Sequence, residues 1–235
     1  MDSEQFALVT STIDIAEKYI QGSKYPGHFL IVAEEQSESR GRNGSTWYSP
    51  RGGLWFSLVL HHLSMHKSFT LYIGCCVLRA LIEVTKIPDF QIKWPNDIYL
   101  HNEKICGLIC SRFIQHQKTH IGIGVNTNNE LKSGFSPLMI KSIQKLLNIT
   151  IDNKIYLATI LEQIFSSLDE YETQGSSLFR DYYFDKDYLK GKKIQITSGM
   201  EIWSGWYQGL NQEGNLVLED ENGKKRIICS GSVTI

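Results

Sequence analysis

Apolar positions recur along the chain in two rhythms, one with helical spacing and one in short unbroken runs. Ile13, Ala16 and Ile20 fall on one helical face, and Ser11-Thr12 with Asp14 just behind forms a helix start. The runs Phe29–Ala33 and Leu54–Leu60 have the length of buried strands. Residues 69–85 (FTLYIGCCVLRALIEVT) are apolar nearly all round, which predicts a helix enclosed by core.

A strand-rich block follows. Phe90–Trp94 is stopped or turned by Pro95, because proline cannot donate to a sheet ladder. Ile98–Leu100 and Ile105–Ile114 flank His101-Asn102-Glu103-Lys104, a predicted hairpin turn, and His120–Val125 predicts another strand ending at Asn126. Tyr156, Leu157, Ile160, Leu161, Ile164 and Leu168 give helical spacing over 154–173, with a shorter helix over 176–184. Short strands are predicted at 192–197, 202–210, 214–219 and 224–230, separated by turns at Asn211–Gly214 and Glu221–Gly223. The fold class expected is α/β (α+β). A mixed sheet packed by helices occupies residues 1–187, and a small antiparallel β-barrel occupies 188–235.

Composition narrows the function classes. Twenty-four basic against 25 acidic residues give a net charge of −1, which excludes a protein that holds nucleic acid by bulk charge. No apolar run approaches the ~18 residues of a membrane span, and Met1-Asp2-Ser3-Glu4 lacks the start of a secretory signal. The five cysteines are odd in number and lie mostly in apolar segments, the usage of reduced thiols in a cytoplasmic protein. Cys106 and Cys110 lack the CxxC or HExxH context of a metal site, so no resident metal is expected.

The chemistry concentrates in a few places. Residues 39–53 (SRGRNGSTWYSPRGG) carry four glycines, three arginines, one tryptophan and no acid. Glycines let backbone N–H groups approach a ligand, arginines supply forked donors for phosphate or carboxylate, and Trp47 could cover a flat ligand surface. A solvated, turn-rich loop fits the same composition. Lys93-Trp94-Pro95-Asn96-Asp97 puts a lysine at a strand end beside a rigid step, with Lys104 across the hairpin; a plain Pro-Asn-Asp turn is the alternative. Gly122-Ile123-Gly124-Val125-Asn126 ends a strand in an amide able to pair a base edge or simply to turn the chain. Ser11 and Thr12 either cap a helix or face a ligand, and Gln36 precedes the glycine-rich loop. His61, His62 and His66 read as a polar connection, and Trp203 and Trp206 as core or interface residues of the small barrel. Neither a Walker loop nor a Gly-x-Ser-x-Gly elbow occurs.

Taken in order, these motifs resemble the biotin–protein ligases. That family's pattern is a Gly-Arg-Gly-Arg-x-Gly-Arg-x-Trp-x-Ser-Pro-x-Gly loop, Lys-Trp-Pro-Asn-Asp, a Lys-x-x-Gly hairpin and Gly-x-Gly-hydrophobic-Asn. Here stand Arg40-Gly41-Arg42-Asn43-Gly44, Trp47, Ser49-Pro50 and Gly52, then Lys93–Asp97, Lys104-Ile105-Cys106-Gly107 and Gly122–Asn126. The resemblance implies a class II synthetase-like catalytic domain with an SH3-like carboxy-terminal domain. It also implies a two-step reaction in which biotin and ATP, carried with Mg²⁺, give biotinyl-5′-AMP. Biotin then passes to a lysine of a biotin carboxyl carrier domain. Arg40, Arg42 and Lys93 would be catalytic. Ser11, Thr12, Ile13, Gln36, Arg40, Gly41, Arg42, Trp47 and Lys93 would contact biotin, and Arg40, Arg42, Trp47, Lys93, Lys104 and Asn126 the nucleotide.

Three departures stand out. Ser39 replaces the first loop glycine and should stiffen the loop; Ser45 replaces an arginine and removes one phosphate partner; Ile13 replaces a polar residue after Ser-Thr. Some family members repress transcription through an amino-terminal helix-turn-helix domain. The ten residues before Ser11 leave no room for one, so a ligase without specific DNA binding is expected. Lipoate–protein ligase, the sister family, shares Lys-Trp-Pro-Asn-Asp, whereas the Arg-Gly-Arg-x-Gly loop and barrel favour biotin. A nucleic-acid binder using Arg40, Arg42 and Arg51 is the third reading, and homodimerisation stays open.

Overall fold

In the computed structural model, residues 1–62, 66–130 and 141–235 are described. The first part of the chain builds β1 (Asp2–Phe6), α1 (Thr12–Gln21), β2 (Phe29–Ala33), β3 (Leu54–Leu60) and α2 (Phe69–Thr85). The strand-rich block gives β4 (Gln91–Lys93), β5 (Asp97–Leu100), β6 (Glu103–Phe113) and β7 (Lys118–Val125), and helices α3 (Ile143–Leu147), α4 (Asn153–Gln174) and α5 (Arg180–Asp185) follow. The chain ends in β8 (Lys193–Ser198), β9 (Glu201–Leu210), β10 (Leu216–Glu219), β11 (Lys225–Ile228) and β12 (Ser232–Thr234).

The large sheet runs β1-β2-β3-β7-β6-β5-β4. β1 and β2 pair in parallel and every other neighbour is antiparallel. Strand alternation divides its side chains between two faces. Leu54, Phe56, Leu58 and Leu60 of β3, with Ile121, Ile123 and Val125 of β7, join the main core beneath α2 and α4. Tyr72 and Tyr171 stack at 4.1 Å between those two helices. Val59 of β3 points to the other face and packs with Ala16 and Ile20 of α1. Next to α1 that face carries Gly122 and Gly124 of β7, and Gly107 of β6 lies directly opposite Gly124 in the ladder. Three absent side chains leave room above the sheet, and there the candidate site lies.

The last five strands form an antiparallel sheet in the order β11-β10-β9-β8-β12, in agreement with the SH3-like expectation. Its inner residues Ile194, Ile196, Leu216, Leu218 and Ile228 belong to the same core cluster as the large sheet. Two polar contacts fix the seat: Trp94 Nε1 donates to the Gly214 carbonyl at 3.1 Å, and Tyr207 donates to Asp187 at 2.6 Å. Trp203 packs against the core, whereas Trp206 is 50% exposed, so of the two expected roles it does not take that of a core residue. On β9 it shares the outward face with Ser204 and Gln208.

Candidate active site

The open space above the glycines is a cavity of about 730 Å³. Ser11, Thr12, Ile13, Gln36, Arg40, Gly41, Arg42, Trp47, Lys93 and Lys104 all line it. Asn126 does not: it is buried, its Oδ1 accepts from Asn129 at 3.0 Å, and its backbone N–H donates to Ile105. Tyr99, Asn102 and Tyr188, together with Ser232 to Ile235 of the small sheet, complete the wall; no sequence motif pointed to them.

One end of the cavity is built from neutral polar groups. Ser11 caps α1, its hydroxyl accepting from the Ile13 N–H at 3.2 Å, so the capping role is real and the residue also faces the cavity. Gln36 accepts from the Thr12 N–H at 2.8 Å and donates to Ser49 at 2.9 Å. Ser49 lies 2.7 Å from Ser39, whose hydroxyl donates to the Trp47 carbonyl. The Trp47 N–H returns to the Ser39 carbonyl at 3.0 Å, so Ser39 closes the neck of the 39–47 loop. The side-chain contacts of Ser39 at this neck are ones a glycine would lack.

Within the loop, Asn43 (φ 55°) and Gly44 (φ 73°) take left-handed conformations that these residue types tolerate. Ser45 donates to the Arg42 carbonyl at 2.9 Å. A side chain at position 41 would meet the Ser45 hydroxyl at 2.6 Å, so any other residue there would push that hydroxyl aside. Trp47 lies across the Gly107–Gly124 pair; a Cβ on Gly124 would come within 2.6 Å of its indole nitrogen. Lys104 sits 5.2 Å from the Trp47 ring centre, a cation–π contact, and 2.8 Å from Asp97.

The cations divide into two kinds. Arg40 is held by Asp14 at 2.5 Å and Glu17 at 3.1 Å on α1, and Arg51 by Glu34 and Glu35. Both arginines are thus paired with acids at the surface. Arg42 instead donates to the neutral Asn96 Oδ1 at 2.8 Å, and Lys93 approaches the Tyr99 hydroxyl at 3.4 Å. Burial lowers both their pKa values, with Asp97 partly opposing the shift. A half-buried cation without an anionic partner favours an anionic ligand, because burial strengthens the attraction that would compensate its desolvation.

Other candidates fall outside the cavity. His62 pairs with Glu172, His66 meets the Glu172 carbonyl, and His61 takes its backbone bond to His28, so these histidines tie β3 and its following loop to neighbours. Cys75, Cys76 and Cys106 are buried free thiols, and burial raises their pKa values. Among the described residues no group of three His, Cys, Asp or Glu side chains could hold a metal ion, and no helix is long and apolar enough to cross a membrane.

A helix-backed mixed sheet with a glycine floor, a neutral polar end and two cations that meet no acidic side chain among the described residues suits a small polar ligand bearing an anionic group. Residues 5–128 match the model of the biotin/lipoate A/B protein ligase family. The chain belongs to that family. It is 27% identical over 231 residues to the bifunctional ligase/repressor BirA of Bacillus spizizenii, across 94% of this chain and 70% of that protein. Identity to BirA of Bacillus subtilis is 28%, and the match spans 65% of that protein, so the chain covers about two thirds of these relatives. The biotin--[acetyl-CoA-carboxylase] ligase of Paracoccus denitrificans is 24% identical across 86% of this chain and 88% of its own. A biotin protein ligase from Aquifex aeolicus, solved with biotin and ATP, superposes with a TM-score of 0.85 at 27% identity, covering 99% and 97% of the two chains.

Proposed function

We propose that the chain is an ATP-dependent biotin–protein ligase, with a catalytic domain over 1–187 and the small β domain over 188–235. The observation that carries this reading is the pairing, in one cavity, of a neutral hydrogen-bonding end with Arg42 and Lys93, cations that meet no acidic side chain among the described residues. Biotin has the matching halves, a ureido ring and a carboxylate tail. Ser11, Thr12, Gln36 and the Arg40-Gly41-Arg42 backbone face the ring, Ile13 packs beside it, and Lys93 receives the carboxylate.

In the first step a carboxylate oxygen attacks the α-phosphorus of ATP. The bond to the bridging oxygen breaks and pyrophosphate leaves. Both reactants are anions, so cations are needed to suppress repulsion and to stabilise charge in the transition state. Arg42 and Lys93 stand where that charge develops. Arg40 contributes mainly through its backbone while Asp14 and Glu17 hold its side chain. Among the described lining residues Asp97 is the one acidic side chain and it is paired with Lys104, so Mg²⁺ would enter as part of the nucleotide complex. Trp47 and Lys104 form the nucleotide side of the cavity, and Asn126 supports that region from behind through its bonds to Asn129 and Ile105. In the second step the neutral amine of an acceptor lysine attacks the anhydride carbonyl, AMP leaves and the amine loses a proton. A biotin carboxyl carrier domain is the acceptor proposed, and the cytoplasm the compartment.

Pyrophosphate exchange into ATP tests the reading when run with biotin, lipoate or neither. Exchange that needs biotin supports it, and Lys93→Ala is expected to lower that exchange at least ~100-fold. Exchange with lipoate alone would move the chain to the other branch of the family.

A further inference from the structure

His120 has no place in any motif, yet it is fully buried directly behind the ring-binding end of the cavity. It shares a sheet face with Ser57 on the neighbouring strand, where Ser57 pairs with Gly122 and Val59 with His120. Its Nε2 lies 3.0 Å from the Ser57 hydroxyl, and Ser57 lies 3.1 Å from the Thr12 hydroxyl, which opens into the cavity. The other ring nitrogen, Nδ1, is buried and has no hydrogen-bond partner among the described residues.

That unpartnered nitrogen fixes the direction of the chain of hydrogen bonds. A proton on Nδ1 would be a buried donor with nothing to bond, whereas a bare lone pair is the less costly vacancy. The proton therefore sits on Nε2 and is donated to Ser57. Ser57, having accepted, donates to Thr12, and Thr12 is left with its own proton to offer to the cavity. Burial keeps the imidazole neutral by pulling its pKa down to about 4, so the arrangement survives across the physiological range.

We propose that His120 is a positioning residue which, through Ser57, orients the Thr12 hydroxyl as a donor and so makes this subsite select a carbonyl oxygen over a nitrogen-bearing group. The inference rests on the biotin reading, since the ureido carbonyl is the oxygen in question. It distinguishes biotin from 2-iminobiotin, whose cyclic guanidine is protonated at neutral pH, so that a donor with no lone pair replaces that oxygen while the ring and the carboxylate tail remain.

The test is calorimetric affinity for both compounds. The protein as it stands should prefer biotin. His120→Leu and Ser57→Ala should each shrink the ratio of the two affinities by about five- to tenfold, and His120→Gln, whose amide can donate from nearly the same place, should restore it. A merely structural role would weaken both ligands together and leave the ratio fixed, and an unchanged ratio in both variants overturns the proposal. If His120→Leu fails to fold, Ser57→Ala decides alone. Failure of the unaltered protein to bind biotin at all would instead overturn the underlying functional reading.

Discussion

Single residues in this site do more than the motifs assign to them. Ser45 shows the point: it stands where the family pattern has an arginine, and it closes the turn onto the Arg42 carbonyl while remaining exposed at the cavity rim. An arginine there could reach a phosphate from outside the loop. Ser45→Arg is therefore expected to slow dissociation of bound biotinyl-adenylate on the order of tenfold, the scale of one charge-assisted hydrogen bond; an unaltered off-rate would show that the position faces solvent in the complex. Each cavity-lining motif residue has an ordinary use as a cap, turn or loop, and the candidate site was legible through the order in which the motifs recur along the chain, the order that carries the family resemblance. What could not be read was which charges are already satisfied. Arg40 and Arg42 look alike in the chain, yet α1 brings Asp14 and Glu17 to one and the turn after β4 brings a neutral amide to the other. Asn126 likewise spends its amide oxygen on Asn129, a pairing that depends on the path of the chain after β7.

At the scale of elements, apolar rhythm located β2, β3 and α2 because each is enclosed on both sides. β1 escaped notice for the opposite reason. Asp2-Ser3-Glu4-Gln5-Phe6 is an edge strand, mostly exposed, held by its parallel ladder to β2 rather than by an apolar face. α3 was hidden by its five-residue length. The predicted hairpin is tighter than expected: His101 and Asn102 alone make the turn, both with positive φ as a two-residue turn requires, and Lys104 already belongs to β6. The end of α2 offers a stability test. Lys86 terminates that helix at φ 60° with its side chain exposed, a left-handed conformation costly for any residue with a Cβ. Lys86→Gly should stabilise the protein by about 0.5–1 kcal/mol, read as a higher urea midpoint.

For the whole molecule, two buried groups give opposite pH dependences. His120, pulled down from 6.5 to about 4, is neutral in the fold while the unfolded chain takes up a proton below 6.5. Its contribution of roughly 3 kcal/mol is present above pH 6.5 and is lost as pH falls towards 4. Asp187, at the seat of the small sheet, is pushed up from 3.8 to about 6 because burial outweighs its bond to Tyr207. The fold holds that proton more tightly, so its contribution, also roughly 3 kcal/mol, is present below pH 3.8 and is lost as pH rises towards 6. The two offset each other between about pH 4 and 6. Urea unfolding across that range should show stability falling with rising pH in His120→Leu and falling with decreasing pH in Asp187→Asn. Parallel slopes in the two variants would refute the pairing.

Lys93 and Trp94 are successive residues, one lining the cavity and the other carrying the indole that donates to the Gly214 carbonyl of the small sheet. The lysine is therefore anchored from behind by a module that lies more than a hundred residues further along the chain. In evolutionary terms, the barrel's outer face around Trp206 and the turn at Glu221–Gly223 take no part in this anchoring. Drift cannot exchange the barrel for an unrelated appendage unless the tryptophan beside the lysine changes with it.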